Sequence, residues 1–311
     1  METNFVLALK EGNDRAILDA PKSDIHSHAG RGGHPSWIAK RLQVSIADPP
    51  NRFQSLDHMQ KWYEENIKVI CPGKAGHILR WEAAFAEAGR NHIKRLALSF
   101  STSEVEFVGG MEAFMGLLNE FKGRYCKETK FQPELAYASY CNPLEESKKM
   151  EKYLDFGYFK SIDINCGEGI QPFKAYLPLY EKAHEYGLRK KMHVGETGTA
   201  EDVLEAIDVL GLDEIHHGIA AATSKSVMKV LRDRNIQLNV CPTSNVLLGI
   251  VESYEKHPIK VLVENEVPVT INTDDLLIFG QSIDKEYIHL FKSGTLTAEE
   301  LDKIRLRGLE G

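Results

Sequence analysis

Eight short runs rich in β-branched and aromatic residues recur along this chain, with helical patterns in the intervals between them. They cover 22–28, 95–101, 134–140, 159–165, 190–196, 214–218, 236–241 and 267–274. Parallel strands covered on both faces read as near-continuous apolar stretches, and each needs a crossover helix to reach the next. Strand–helix alternation from end to end therefore predicts an α/β fold, a single (β/α)8 TIM-type barrel. A doubly wound open sheet is the alternative. Pro172 near one helix start, and Gly187 and Gly211 just past two helix ends, punctuate the pattern as expected.

Residues 52–91 break the rhythm. RFQSLDHMQKWYEENIKVI and GKAGHILRWEAAFAEAGR read as two helices inserted between strands one and two, where a barrel would carry them over its mouth. No proline-rich linker, low-complexity tract or repeat divides the chain, so one domain over 1–311 is expected. Its 42% hydrophobic content suffices for a large core.

Charge and cysteines exclude several functions. A net charge of −7 with no long basic run argues against a nucleic-acid surface. Five cysteines, none in a CxxC pair, suit a reduced compartment. No secretory leader is visible, and no apolar run approaches the ~18 residues that cross a bilayer. A soluble, cytoplasmic protein without membrane partners is expected. There is no GxxxxGK[ST] loop and no GxGxxG after a strand. The missing CxxC also removes the HxE/PCxxC class of zinc deaminases.

Polar residues gather at the C-terminal ends of the strand-like runs, where barrel enzymes keep their chemistry. His26 and His28 in KSDIHSH are two apart on a predicted strand and face the same way. His193 in KMHVGE adds a third nitrogen, and Asp274 in TINTDD a hard oxygen. Histidines and a carboxylate with one position open to water are the pattern of catalytic zinc, and one zinc ion is the expected cofactor. Glu196, three residues past His193, is placed to enter the pocket as a proton donor rather than a ligand. His217 would bind the metal, or orient and deprotonate the attacking water. His216 points to the other face of a strand and is expected to pack. Asp275 reaches the pocket if the chain turns at the strand's end. The residues themselves point to metal-assisted hydrolysis. A hydrolase of a cyclic amide or ester and a non-catalytic metal-binding barrel are the alternatives.

PKSDIHSH, HVGE, the HHG of 216–218, CPTSN (241–245) and NTDD (272–275) together resemble the adenosine deaminase family of the amidohydrolase superfamily. Their order and the spacings from His193 to His217 and on to Asp274 also match, over roughly residues 20–305. The resemblance implies zinc on His26, His28, His193 and Asp274. It implies that Glu196 protonates the ring nitrogen beside the amino-bearing carbon, and that His217 orients the hydroxide and stabilises developing charge. Asp275 would hydrogen-bond the five-membered ring of a purine, and Gly167 would offer its backbone N–H. In DINCGEG, Gly167 stands one residue farther from Asp163 than the family pattern has it. The implied partner is a small aminated purine or adenosine-like nucleoside, converted to its 6-oxo product with release of ammonia. The chain departs at Gly30, where family members acting on adenosine carry an aspartate for the ribose; glycine offers no such acceptor. Arg31 and His34 read as loop residues, with other polar contacts to the substrate as the alternative; Trp62, Trp81 and Phe85 read as core packing, with stacking on a flat ring as the alternative.

Overall fold

All eight expected strands form, and they pair in sequence order, every pair parallel. The computed structural model describes residues 2–310. The strands are β1 (Lys22–Asp24), β2 (Ile93–Ser101), β3 (Lys130–Ala138), β4 (Ser161–Asn165), β5 (Arg189–Val194), β6 (Glu214–His217), β7 (Gln237–Val240) and β8 (Val269–Ile271). Helices separate them and cover the sheet, giving a nearly closed (β/α)8 barrel. One hydrophobic cluster, from Phe5 to Ile304, fills the layer between strands and helices.

The barrel closes through side chains and single bridges rather than a regular ladder. β1 ends at Asp24, so His26 and His28 lie past the strand instead of on it. Beyond it, isolated bridges join Ser27 to Asp274 and His28 to Ser99. The Asp274 N–H donates to the His26 carbonyl at 3.0 Å, and the Ile25 N–H to Asn272 Oδ1 at 2.9 Å. The Thr273 hydroxyl donates to Asp24 Oδ2 at 2.5 Å. The β1–β8 seam is thus made by the two segments that carry His26, His28, Asp274 and Asp275.

Inside the barrel the packing is polar. Lys191 lies 2.9 Å from Glu134 and 3.5 Å from Glu214, and Ser161 donates to Glu134 at 2.7 Å. His216 reaches Glu134 at 3.1 Å. β3 and β6 are not neighbours in the sheet, so that bond crosses the interior. His216 is therefore not on an outer packing face: it bonds Glu134 and its ring lies 3.9 Å from that of His26.

Helix boundaries follow their capping residues. In the Ala200–Leu210 helix, Thr199 and Asp202 form a reciprocal capping box, and Gly211 closes the end with φ 62°. Val203, Ala206, Ile207 and Leu210 make its buried stripe. The inserted helices run Leu56–Tyr63, continued by a π-turn at Glu64–Lys68, and Gly73–Arg90. An additional helix, Pro35–Leu42, precedes them, with the His34 ring accepting from the Ser36 N–H at its start. Trp81 and Phe85 are core residues, and Trp62 packs against a second cluster that joins the insertion to Leu277–Phe279 after β8. Tyr63 Oη and Arg80 Nε both donate to the Gly30 carbonyl, fixing the insertion over the first strand's exit. No helix among the described residues is long and apolar enough to cross a membrane.

Candidate active site

The strand ends converge. His193 lies in β5, His217 is the last residue of β6, and Asp274 follows β8. His217 and Asp274 have positive φ, 62° and 58°. Such backbone costs a non-glycine residue on the order of 1–3 kcal/mol and persists where surrounding structure enforces it. Here it turns both side chains inward at the strand's end.

Each candidate ligand histidine is held by Nδ1. His26 Nδ1 lies 3.0 Å from the Asn239 carbonyl, His193 Nδ1 3.0 Å from Asp163, and His28 Nδ1 2.8 Å from Ser99 Oγ. A carbonyl and a carboxylate only accept, so His26 and His193 donate from Nδ1 and keep their Nε2 lone pairs free. Those two Nε2 atoms are 3.0 Å apart. Asp274 Oδ1 is 3.3 Å from His28 Nε2 and 3.7 Å from His26 Nε2, while Ser244 donates to Oδ2 at 2.6 Å. Ligand atoms of His26, His28, His193 and Asp274 all lie within 4.8 Å of one another. Two nitrogen lone pairs facing at 3.0 Å repel unless a cation or proton lies between them. Tetrahedral zinc with bonds of 2.0–2.1 Å separates its ligand atoms by roughly 3.4 Å. The donor set and its spacing fit such an ion.

Glu196 and His217 stand beside this cluster. Burial pushes the Glu196 carboxyl well above the usual carboxylate range, and the carboxylates of Asp274, Glu168 and Asp275 push it further. The shift favours the protonated form, the one a proton donor needs. Burial lowers His217 to about 3, with the neighbouring histidines adding to the effect and Asp274 opposing it, so the ring is neutral. Asn245 fixes both groups: its Nδ2 donates to Glu196 Oε1 and to His217 Nδ1, each at 3.3 Å. The amide is itself oriented by buried His257. His257 Nδ1 accepts from the Ile259 N–H at 3.0 Å, so its Nε2 donates to Asn245 Oδ1 at 3.3 Å. His217 consequently accepts at Nδ1 and carries its proton on Nε2, 3.9 Å from Asp274 Oδ2. Its tautomer suits orienting and stabilising an oxygen rather than deprotonating one.

Arg31 is not a free loop residue. Its guanidinium bonds Asp275 Oδ2 and Gln60 Oε1, each at 2.7 Å, and lies 4.8 Å from the Tyr63 ring centroid. Asp275 is buried, and its Oδ1 has no hydrogen-bond partner among the described residues. Gly167, with φ 120°, sits on the loop after β4 beside Glu168, whose carboxylate bonds the Glu196 N–H at 2.7 Å. The motifs do not single out Asp163, Asn245, His257 or Glu168 as site residues, and for Arg31 the structure favours the polar-contact alternative over the loop reading. Only Asp163 and Asn245 had a visible signal, as polar residues inside or just past strand-like runs.

The family model for adenosine deaminase matches residues 141–311. An adenosine deaminase of Clostridium kluyveri is 31% identical over 93% of this chain and 88% of its own length. A putative adenosine/adenine deaminase of Treponema pallidum is 28% identical, covering 92% of this chain and 97% of its own. Among solved structures, adenine deaminase from Arthrobacter aurescens superposes with a TM-score of 0.78 at 21% identity, over 93% of this chain and 92% of that one; this likeness speaks to the fold. Matched in sequence over nine-tenths of its length and carrying its polar residues at the barrel's strand ends, the chain belongs to the adenosine deaminase family of the amidohydrolase superfamily and is a hydrolytic aminohydrolase.

Proposed function

We propose that residues 1–311 form one deaminase domain that converts a 6-aminopurine, or an adenosine-like nucleoside, to its 6-oxo product and ammonia. His26, His28, His193 and Asp274 would hold one zinc ion. When bound, zinc supplies the Lewis acidity that makes hydroxide available near neutral pH. The observation that carries the reading is a buried Glu196 carboxyl fixed by Asn245 beside a four-residue ligand cluster.

In this reading Glu196 donates its proton to the ring nitrogen adjacent to the amino-bearing carbon, so the ring can accept electrons as that carbon is attacked. His217 directs its Nε2 proton at the attacking oxygen and disperses the charge that develops there. Asp275 presents the unpaired Oδ1 to the ring edge, and Gly167 its backbone N–H. Gly30 provides nothing for a sugar hydroxyl, and Arg31 occupies the space between Asp275 and Gln60. Recognition therefore runs through the ring, and adenosine gains little over the free base.

An ammonia-release screen over adenine, adenosine, 5′-modified adenosines and other aminated heterocycles tests this. Turnover of an aminopurine is expected. A good substrate that yields no ammonia would instead assign cleavage of a cyclic amide or ester.

A further inference from the structure

A carboxylate from outside the motifs is seated beside Glu196. Glu168, on the loop after β4, accepts four backbone hydrogen bonds from the turn after β5. Glu196 N–H and Thr197 N–H reach Oε1, each at 2.7 Å; Gly195 N–H and Gly198 N–H reach Oε2 at 2.9 and 3.0 Å. Successive N–H groups aimed at one point form an anion-binding nest. It lies just ahead of the Ala200–Leu210 helix, whose N-terminal dipole favours the same charge. A side chain at Gly198 would crowd both Glu168 and, at 2.9 Å, Asp202 Oδ2. A Cβ on Gly198 would stand 2.4 Å from Glu168 Oε2, although Gly198 needs no left-handed backbone.

We propose that Glu168 is a positioning residue for the deaminase reaction: its carboxylate, held in the amide nest of residues 195–198, sets the backbone from which Glu196 reaches the substrate. Glu168 touches no reacting atom in this assignment. It acts through Glu196 and, by holding its own loop, through Gly167. The inference rests on the proton-donor role proposed for Glu196. The nest itself is independent of that role.

Glu168→Ala should lower kcat about 10- to 100-fold, the scale of a small misplacement of a reacting group, with KM changed much less. Formate, a carboxylate small enough for the emptied nest, should restore part of the lost kcat. Gly198→Ala, which keeps Glu168 but places a methyl against it, should lose kcat in the same way without responding to formate. An unchanged kcat in Glu168→Ala, or a loss that formate leaves untouched, overturns the proposal. Amide hydrogen exchange reads the nest without any substrate. The 196–198 amides should exchange faster in Glu168→Ala and slow again with formate, and exchange matching wild type overturns the proposal. Wild-type protein that releases no ammonia from any substrate would remove the deaminase reading, while the exchange result still decides the nest.

Discussion

Glu196 is set apart from the other acidic residues of the site by its surroundings. Burial and three nearby carboxylates push it well above the usual carboxylate range, whereas Asp274 is held below that range because His28 and the Ser244 hydrogen bond oppose burial. Glu196→Gln keeps the shape and removes the transferable proton. It should retain zinc, checked by elemental analysis, and lose at least about 10²-fold in ammonia release. Wild-type turnover in that variant would remove the role. Arg31→Met tests the neighbouring ion pair. It leaves the Asp275 carboxylate buried without its counter-charge, at a cost of roughly 2–3 kcal/mol in urea unfolding. That is less than for a fully buried pair, because Arg31 is partly exposed. Adding Asp275→Asn should recover most of the loss. A cost under about 0.5 kcal/mol would show that water already screens the pair.

Elements differ in how openly they announce themselves. The Ala200–Leu210 helix is legible in TAEDVLEAIDVLG because cap, stripe and terminating glycine all agree, and the structure ends it where the glycine stands. Thr199→Ala removes the side-chain cap and should cost about 1 kcal/mol in denaturant unfolding while leaving zinc content unchanged. Pro35–Leu42 is hard to see in the sequence because its start is marked by a histidine ring instead of a usual capping residue. β1 is shorter than its alternation predicts: HSH has the pattern of a strand, but its residues bond across the seam to Ser99 and Asp274 rather than in a ladder.

At the scale of the molecule, two features tie stability to chemistry. The seam between β1 and β8 is built from the segments that carry the candidate metal ligands, so metal binding at the proposed site would be linked to barrel closure. Removing metal with a chelator should lower Tm, and zinc at about 100 times its Kd should restore about 2.7 kcal/mol. An unchanged Tm would show that the seam closes without the ion. The polar interior predicts a pH dependence. Glu134 is held well below the usual carboxylate range: burial opposes this, but Lys191 and His216 outweigh it. A lowered carboxylate contributes stability that is full above its unfolded pKa and fades as pH falls through the folded one. The stability gap between wild type and Glu134→Gln should therefore be widest near neutrality and narrow below about pH 4.5. A gap that stays constant into acid would place the bond's value elsewhere.

The amino-acid sequence by itself determined the alternation of strands and helices, hence the barrel, and the His, Glu and Asp residues that the barrel gathers at its mouth. These are local facts: periodicity, caps, and chemistry-bearing residues at strand ends. Only the tertiary structure decided how those residues are held. His26 is oriented by Asn239, His193 by Asp163, Glu196 by Asn245 and Glu168, and Asp275 by Arg31. Each of these bonds joins different strand ends, or a strand end to a loop, far apart in the chain. No spacing along the sequence encodes such a contact, because it exists only once the barrel brings its strand ends together. The same physics hid Arg31, which reads as a loop residue until β8 delivers Asp275 to its guanidinium.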